Sequence, residues 1–333
     1  LAEALRSSDG ERQPNPFIRF LWRRLAVGVV LAVVVSVVIF AATDLLPGDA
    51  AQAILGTTAT PEAVEALRVQ LGLDRPAVQR YGEWLGGIAQ GDLGDSLSTR
   101  GPVTEAISGR VVNSLILAGL AALIMIPLSL AIGAYAGTRP GRPGDLVASG
   151  TSLVFIAVPE FVTAAFLILI LAIGADLLPP VSIVAPGTSP LATPAILVLP
   201  VLTLLLASLA HNVRMVRAGV IETMHSPYVQ MARLNGLSER EVVFRHGLRN
   251  ALPPAVQVIA LNLQWLIGGI VIVEFVFQYP GVGQLLTQAV ALRDIPLVQA
   301  LAILIAVLYI VINIVTDLLV VLLVPRLRTA GAS

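Results

Sequence analysis

The sequence predicts an all-α, polytopic membrane protein with six transmembrane helices. Three observations carry this. Hydrophobic residues make up 56 % of the 333, mean hydropathy is +0.86, and only 13 % of residues are charged, a composition too apolar for a soluble globular domain. The apolar residues fall into runs of about 20 or more, the length a helix needs to cross ~30 Å of hydrocarbon. The charges sum to zero, yet their distribution along the chain is uneven.

Taken in order, residues 1–24 form a polar, proline-containing tail, expected to be mobile over 1–16, that ends in Arg23-Arg24. Residues 25–43 carry no charge and form the first expected span. A cleaved leader with a small-residue site at Ala51-Gln52-Ala53 is the weaker reading. The apolar run exceeds the usual leader core of about 7–15 residues, and cleavage would leave an odd number of spans. The second span covers 111–137, the third 146–175 with Glu160 beside Pro159, and the fourth 195–213 after Pro194. The fifth covers 254–278 with Glu274 as its single acid, and the sixth 297–323 with Asp317, before a tail at 324–333. Pro159 is expected to bend the third span.

Every basic residue is arginine, and arginine orients the chain. With the N-terminus inside, fifteen arginines lie on the inner side: Arg6, Arg12, Arg19, Arg23, Arg24, Arg139, Arg142, Arg214, Arg217, Arg233, Arg240, Arg245, Arg249, Arg326 and Arg328. Six lie outside, and five of these fall in the 44–110 segment, long enough to escape the positive-inside rule. Both termini are therefore expected in the cytoplasm. The missing lysine excludes a standard phosphate-gripping loop and a lysine Schiff base. The missing cysteine excludes disulfides and thiol chemistry. His211, His225 and His246 show no metal-ligand spacing.

The 44–110 segment reads as an outer domain. Thr60 caps a short helix with Pro61 at its first position, and Gly72 ends it. Tyr81 and Trp84 suit a membrane interface. The inner segment 214–253 is the fourth-to-fifth span connection, and its stretch 228–254 holds four arginines, two glutamates and a histidine. Ser226 and Pro227 start one short helix, Gly236 ends it, and Ser238 with Glu241 forms a capping box for a second. Leu237 and Val242 supply a hydrophobic staple, Glu241 and Arg245 are one turn apart, and Pro253-Pro254 turns the chain into the fifth span. Helices this short are marginal alone, so something must dock on them. Tyr228, Met231 and Ala232 line one face for a hydrophobic groove, with anionic lipid as the equal alternative. Tethering at both ends argues against a DNA-binding role.

Ala232, Gly236 four residues later, and Leu252-Pro253 resemble the "EAA" loop of ABC importer permeases. "LPGDAA" at 46–51, "LGLDRP" at 71–76, "GDLGDS" at 91–96, "RHGLRNALPP" at 245–254 and "VEFVFQYPGVGQLL" at 273–286 are similar to the first permease subunit of the dipeptide/oligopeptide/nickel group. Pro227, Met231, Asn235 and Val324 depart from that group's usual residues. The resemblance runs from about 17 to 328 and implies a type I ABC importer permease fold. It implies a heterodimer with a second permease, two ATP-binding cassette subunits that carry ATP and Mg, and an extracytoplasmic substrate-binding protein. It implies no cofactor, no metal, no nucleic acid and no catalysis on this chain, which would sit among the lipids of a bacterial inner membrane. The ATPase contact is expected at Tyr228, Met231, Ala232, Gly236 and Arg240.

Polar groups inside spans are costly and tend to face a pathway or another helix. Glu160, Gln257, Gln264 and Gly268 are candidates for the translocation path, with interhelical hydrogen bonding and close packing as the rival reading. Glu274 either reaches the interface or caps the following loop, and Asn313 with Asp317 makes one face of the last span polar. Asp92, Asp95 and Arg100 are candidates for docking the binding protein. The expected cargo is peptide, with nickel chelate, glutathione and haem as same-family alternatives. A secondary transporter or channel acting without an ATPase is the competing class.

Overall fold

The computed structural model describes residues 16–44, 59–70, 72, 74–185 and 187–323, where regular structure is helical apart from one bridge between Asp95 and Pro102. The tail before residue 16, the 46–51 stretch, the cleavage-like site at 51–53 and the 324–333 segment lie outside the described residues. The helices are α1 Pro16–Asp44, α2 Pro61–Gln70, α3 Ala77–Ala89, α4 Val103–Gly137, α5 Pro143–Ala157 and α6 Glu160–Leu167. There follow α7 Ala195–Met224, α8 Pro227–Leu234, α9 Glu239–Val276, α10 Val282–Ala291 and α11 Ile295–Leu323.

Among the described residues, α1, α4, α7, α9 and α11 are each long and apolar enough to cross a membrane. A sixth span exists if α5 and Glu160–Gly174, bent by 106°, count as one. The sequence predicted one bent span over 146–175; the structure breaks it into two helices. Val158 is extended (φ −90, ψ 124), as steric pressure from a following proline favours. Pro159 then opens α6, which continues as wider π-helical turns over Ile168–Gly174.

A second difference lies at Pro253-Pro254. They do not turn the chain; both sit inside α9. The turns just before them, Val242–Leu248, widen to π geometry, and the Asn250 side chain donates to the His246 carbonyl at 2.9 Å. Such local adjustments let membrane helices carry proline without ending. α7 likewise runs past the expected span end at 213, through Arg214 and Arg217 to Met224.

α7 is the central element: 61 % of its apolar window is buried, against 17 % for α1. Its closest neighbour is α4, and the reason is local. Gly133 and Gly137 lie one turn apart on α4, and a Cβ there would come within 2.6 and 2.7 Å of the Val216 and Val220 side chains of α7. Small residues at this spacing let two helix backbones approach closely where lipid provides no hydrophobic drive. Asp145 at the start of α5 is buried and accepts a bidentate pair from Arg217 of α7, with Arg217 Nη2 to Oδ2 at 2.8 Å. α1 rests on the periphery, tied to α11 by Arg24–Asp317 at 3.1 Å and by Gln299 donating to Thr43 at 2.7 Å.

A second, smaller core joins the starts of α4 and α11 to α10 through Val103, Ile107, Leu285, Ala289, Leu297 and Leu301. Before it, α3 packs on α1. Tyr81 shares a hydrogen bond with Ser36 at 2.9 Å and meets Phe40 edge-on at 5.4 Å, with Trp84 alongside.

Candidate coupling surface and polar sites

α8 has two unlike faces. Val229 and Ala232 are 0 % and 6 % exposed and belong to the main core, whereas Tyr228, Met231 and Leu234 are 46 %, 56 % and 81 % exposed. Ala232 therefore does not share a face with Tyr228 and Met231, as the sequence reading had it; it anchors the helix, and Leu234 completes the exposed apolar row. The local punctuation follows the expected pattern with one exception. Gly236 adopts φ 78 and ends the helix, the left-handed conformation that glycine enters without a Cβ penalty. Ser238 accepts from the Glu241 N–H at 3.3 Å, and Arg245 donates to Glu241 at 3.3 Å. Ser226 occupies the cap position, but its hydroxyl donates back to the Thr223 carbonyl at 2.6 Å.

Two contacts make the short helix and the start of α9 one body with α7. Gly247 packs directly on the Met224 sulfur at the end of α7, so closely that a Cβ has no room. Arg233 reaches across the Gly236 turn to Glu239 with paired bonds of 2.7 and 3.1 Å; being exposed, this pair orients more than it stabilises. Arg240 projects into solvent beside a recess of about 400 Å³ lined by Ser238, Arg240, Glu241 and the exposed Phe244. The resulting surface sets the apolar row Tyr228, Met231 and Leu234 beside Arg233 and Arg240, on a helix whose other face is core.

The pathway candidates are not brought together as a set. Gln264 is engaged on both sides of its amide by α11: it donates to Asn313 at 2.6 Å and accepts from Tyr309 at 3.0 Å. This is the interhelical reading. Asn262, which the sequence reading passed over, donates to Asn212 of α7 at 2.8 Å, and Asn212 reaches the Met125 sulfur at 2.9 Å. Gly268 is exposed and faces open space; Gln257 is half-buried. Near Gly268, Trp265 is 76 % exposed and stacks on His211 with centroids 6.2 Å apart. Glu160 lies against Gly269, where a Cβ would come within 2.5 Å of its carboxylate, and its Oε2 is buried without a hydrogen-bond partner.

The outer end holds two carboxylate knots. Glu274 is fully buried and accepts from Ser114 Oγ, from the Gly283 N–H at 2.6 Å and from the Gln284 N–H at 3.3 Å. It thus caps the N-terminus of α10 from another helix, satisfying donors that a helix start leaves bare; capping the following loop was one of the two sequence readings. Gly281 presses on the carboxylate too closely to admit a Cβ, and a Cβ on Gly283 would come within 2.4 Å of the Val271 backbone. Tyr279 donates to the Asn113 carbonyl and Asn113 to the Pro280 carbonyl, both at 2.8 Å. The "EFVFQYPGVG" stretch is therefore a packing unit.

Asp294 is the second knot. It accepts from Ser96 Oγ at 2.6 Å, Ser98 Oγ at 2.7 Å, and the Ser98 and Leu97 N–H groups at 3.0 and 3.1 Å, and it caps α11 through the Leu297 N–H at 3.3 Å. Burial alone would raise its pKa, but the bonds from Ser96, Ser98 and Leu97 outweigh it and hold the carboxyl below the usual range. The aspartate before Ile295-Pro296 is a readable helix-start signal; its grip on the 96–98 turn, almost two hundred residues earlier, is not. Asp92, Asp95 and Arg100 are all exposed on this same segment. Asp92 accepts from the Gly94 N–H at 2.9 Å, and Arg100 takes φ 57 in the turn that Asp294 clamps.

Comparison with known proteins agrees with this architecture. Residues 129–329 match the family described as binding-protein-dependent transport system inner membrane component, and residues 17–117 match its N-terminal companion. A putative peptide transport system permease protein of Brucella abortus is 35 % identical over 306 residues, covering 92 % of this chain and 98 % of the relative. A probable peptide ABC transporter permease protein of Sinorhizobium fredii is 32 % identical, and a glutathione transport system permease protein of Shigella flexneri 33 %, each over 311 residues, 93 % of this chain and 99 % of the relative. With both halves matched in order and the relatives aligned almost end to end, the chain belongs to the binding-protein-dependent inner membrane components, as a non-catalytic, multi-pass permease subunit of an ABC importer.

Proposed function

We propose that this chain is one half of a permease pair that passes short peptides inward, driven by two ATP-binding cassette subunits that grip the 226–249 segment on the cytoplasmic side. The observation that carries the reading is the division of α8: an exposed row of Tyr228, Met231 and Leu234 on a helix whose other face is core. An amphipathic helix with its apolar side outward fits a hydrophobic groove on a partner. Val229 and Ala232 of α8 share one core with Met224 of α7 and Val242 of α9, so a push on α8 bears on both. ATP-driven closure of the partner subunits then shifts the permease between inward-open and outward-open populations. Gly236 and Arg240 shape the rim of the contact. The excess of arginine on the segments adjoining it supports a cytoplasmic location with both termini inside.

Short peptides are favoured as cargo because peptide transport is named for relatives in Brucella and Sinorhizobium, and glutathione, itself a tripeptide, for one in Shigella. Asp92, Asp95 and Arg100 belong to the face offered to an extracytoplasmic binding protein, and the open space at Gly268 and the lone carboxylate of Glu160 to the pathway.

The chain has no cysteine, so Met231→Cys is a unique handle. In the assembled complex it should crosslink to an ATP-binding subunit, with a yield that changes when ATP is added. Labelling of that cysteine by a membrane-impermeant reagent applied from outside intact cells would overturn the reading, as would ATP-independent peptide uptake by the purified chain alone in vesicles.

A further inference from the structure

A groove of about 670 Å³ opens along the side of the bundle, walled by α4, α5 and α7. Its volume falls in the range of small-molecule pockets, about 300–1,000 Å³. The wall is almost wholly apolar, from Tyr135 and Gly144 at one end to Phe155 and Leu206 at the other. From Gly144 to Phe155 the groove follows α5 for about 16 Å at 1.5 Å per residue. That length runs down from the turn between α4 and α5, where the chain leaves the membrane-spanning part of α4.

The mouth is charged. Arg139 and Arg142 sit in one tight turn, with the Arg142 N–H donating to the Arg139 carbonyl at 3.2 Å. The Arg139 guanidinium lies 4.5 Å over the ring of Tyr135, the residue that walls the groove entrance. Tyr135 packs close to the start of α5, its ring within 2.7 Å of where a Cβ on Gly144 would sit. The nearby acid, Asp145, is buried and already neutralised by Arg217. Among the described residues neither Arg139 nor Arg142 forms a salt bridge; both are exposed. An apolar slot of acyl-chain depth, with one cation over the tyrosine at its entrance and a second in the same turn, matches an anionic amphiphile.

We propose that this groove is a binding site for one anionic phospholipid, its acyl chain along α5 and its headgroup phosphate between Arg139 and Arg142. Basic pockets between membrane helices hold anionic headgroups by this combination. The site is independent of the cargo, and it serves in either orientation of the chain, since the turn lies at a membrane–water boundary in both.

The test uses the complete transporter in lipid nanodiscs doped with photoactivatable phosphatidylglycerol or, in parallel, photoactivatable phosphatidylcholine. Crosslinked peptides are mapped by mass spectrometry. The expected result is preferential labelling of the 131–155 and 206–213 peptides by phosphatidylglycerol. That preference should fall about fivefold for each arginine removed, as one cation near an anionic lipid contributes about 1 kcal/mol, and vanish in Arg139→Gln/Arg142→Gln. Both arginines are exposed, so this variant should fold; Ala148→Trp, which fills the slot, should reduce labelling by both lipids. Equal labelling by the two lipids would reduce the groove to ordinary lipid contact and overturn the proposal. Absence of label from either lipid on the 131–155 and 206–213 peptides would overturn it as well.

Discussion

Glu274 and Asp294 show how single residues set the outer face. Each is a buried carboxylate that caps a helix start and at the same time bonds a distant segment. Glu274→Ala should destabilise the solubilised complex by about 1–3 kcal/mol for each buried donor left bare, and Glu274→Gln by less, since it keeps an acceptor. An unchanged thermal midpoint in Glu274→Ala would refute the capping role. Gly281 makes the same point by size: its φ is −110, so it is required for space against the carboxylate and not for conformation. For Asp294 the sign of the pH effect follows from its lowered pKa. A depressed folded-state pKa contributes stability that is complete above the unfolded value of about 3.9. The contribution is lost as pH falls through the lower folded value. Hydroxyl-radical footprinting of the 94–103 turn should therefore be flat from neutrality to about pH 4 and rise only below it, whereas Asp294→Ala should expose the turn at every pH. A rise near pH 6 in the parent protein would contradict this account.

At the scale of elements, the α4–α7 pair and the run from α8 into α9 decide the architecture. Gly133 and Gly137 allow α4 to touch α7 at Val216 and Val220. Gly137→Leu should overpack this seam, cost about 1–3 kcal/mol and lower the yield of assembled complex. Gly119→Ala, on the same helix where a Cβ meets nothing within 4 Å, should be silent. Equal tolerance at both sites would mean that the seam does not hold the pair together. The spacing of Gly133 and Gly137 along the chain does not by itself tell which helix they face. Proline behaved in two ways for a physical reason. Pro159 follows an extended Val158 and breaks a span. Pro253 and Pro254 follow helical backbone, widened to π turns over Val242–Leu248, and the helix continues, as it does through Pro127 and Pro200. Composition marks both only as proline; the conformation of the preceding residue, extended at Val158 and helical before Pro253, separates them.

For the whole molecule, a main core around α7 reaches down to Val229, Ala232 and Val242 in the segment proposed to meet the ATPase. A second core at the other end holds α10 against α4 and α11. α7 and α9 span the distance between them, so a displacement of α8 has a continuous, packed route across the protein. Met231→Glu should place a charge in the proposed contact without touching the core. The expected phenotype is a complex that folds and binds lipid but loses peptide uptake by tenfold or more, about 1.4 kcal/mol of coupling. Unaltered uptake would exclude Met231 from the contact.

By itself the sequence determined the class, the apolar segments, the short helix at 227–234, the helix start at Ser238, and the left-handed Gly236. These depend on hydropathy, helix period and local capping, which act within a few residues. Only the tertiary structure decided that Ala232 faces the core, that Gln264 is bonded to α11, that the 146–175 segment is two helices, and that Asp294 holds the turn at 96–98. Each of these depends on which surfaces meet in space, and the burial and hydrogen bonding that follow cannot be read from neighbours in the chain.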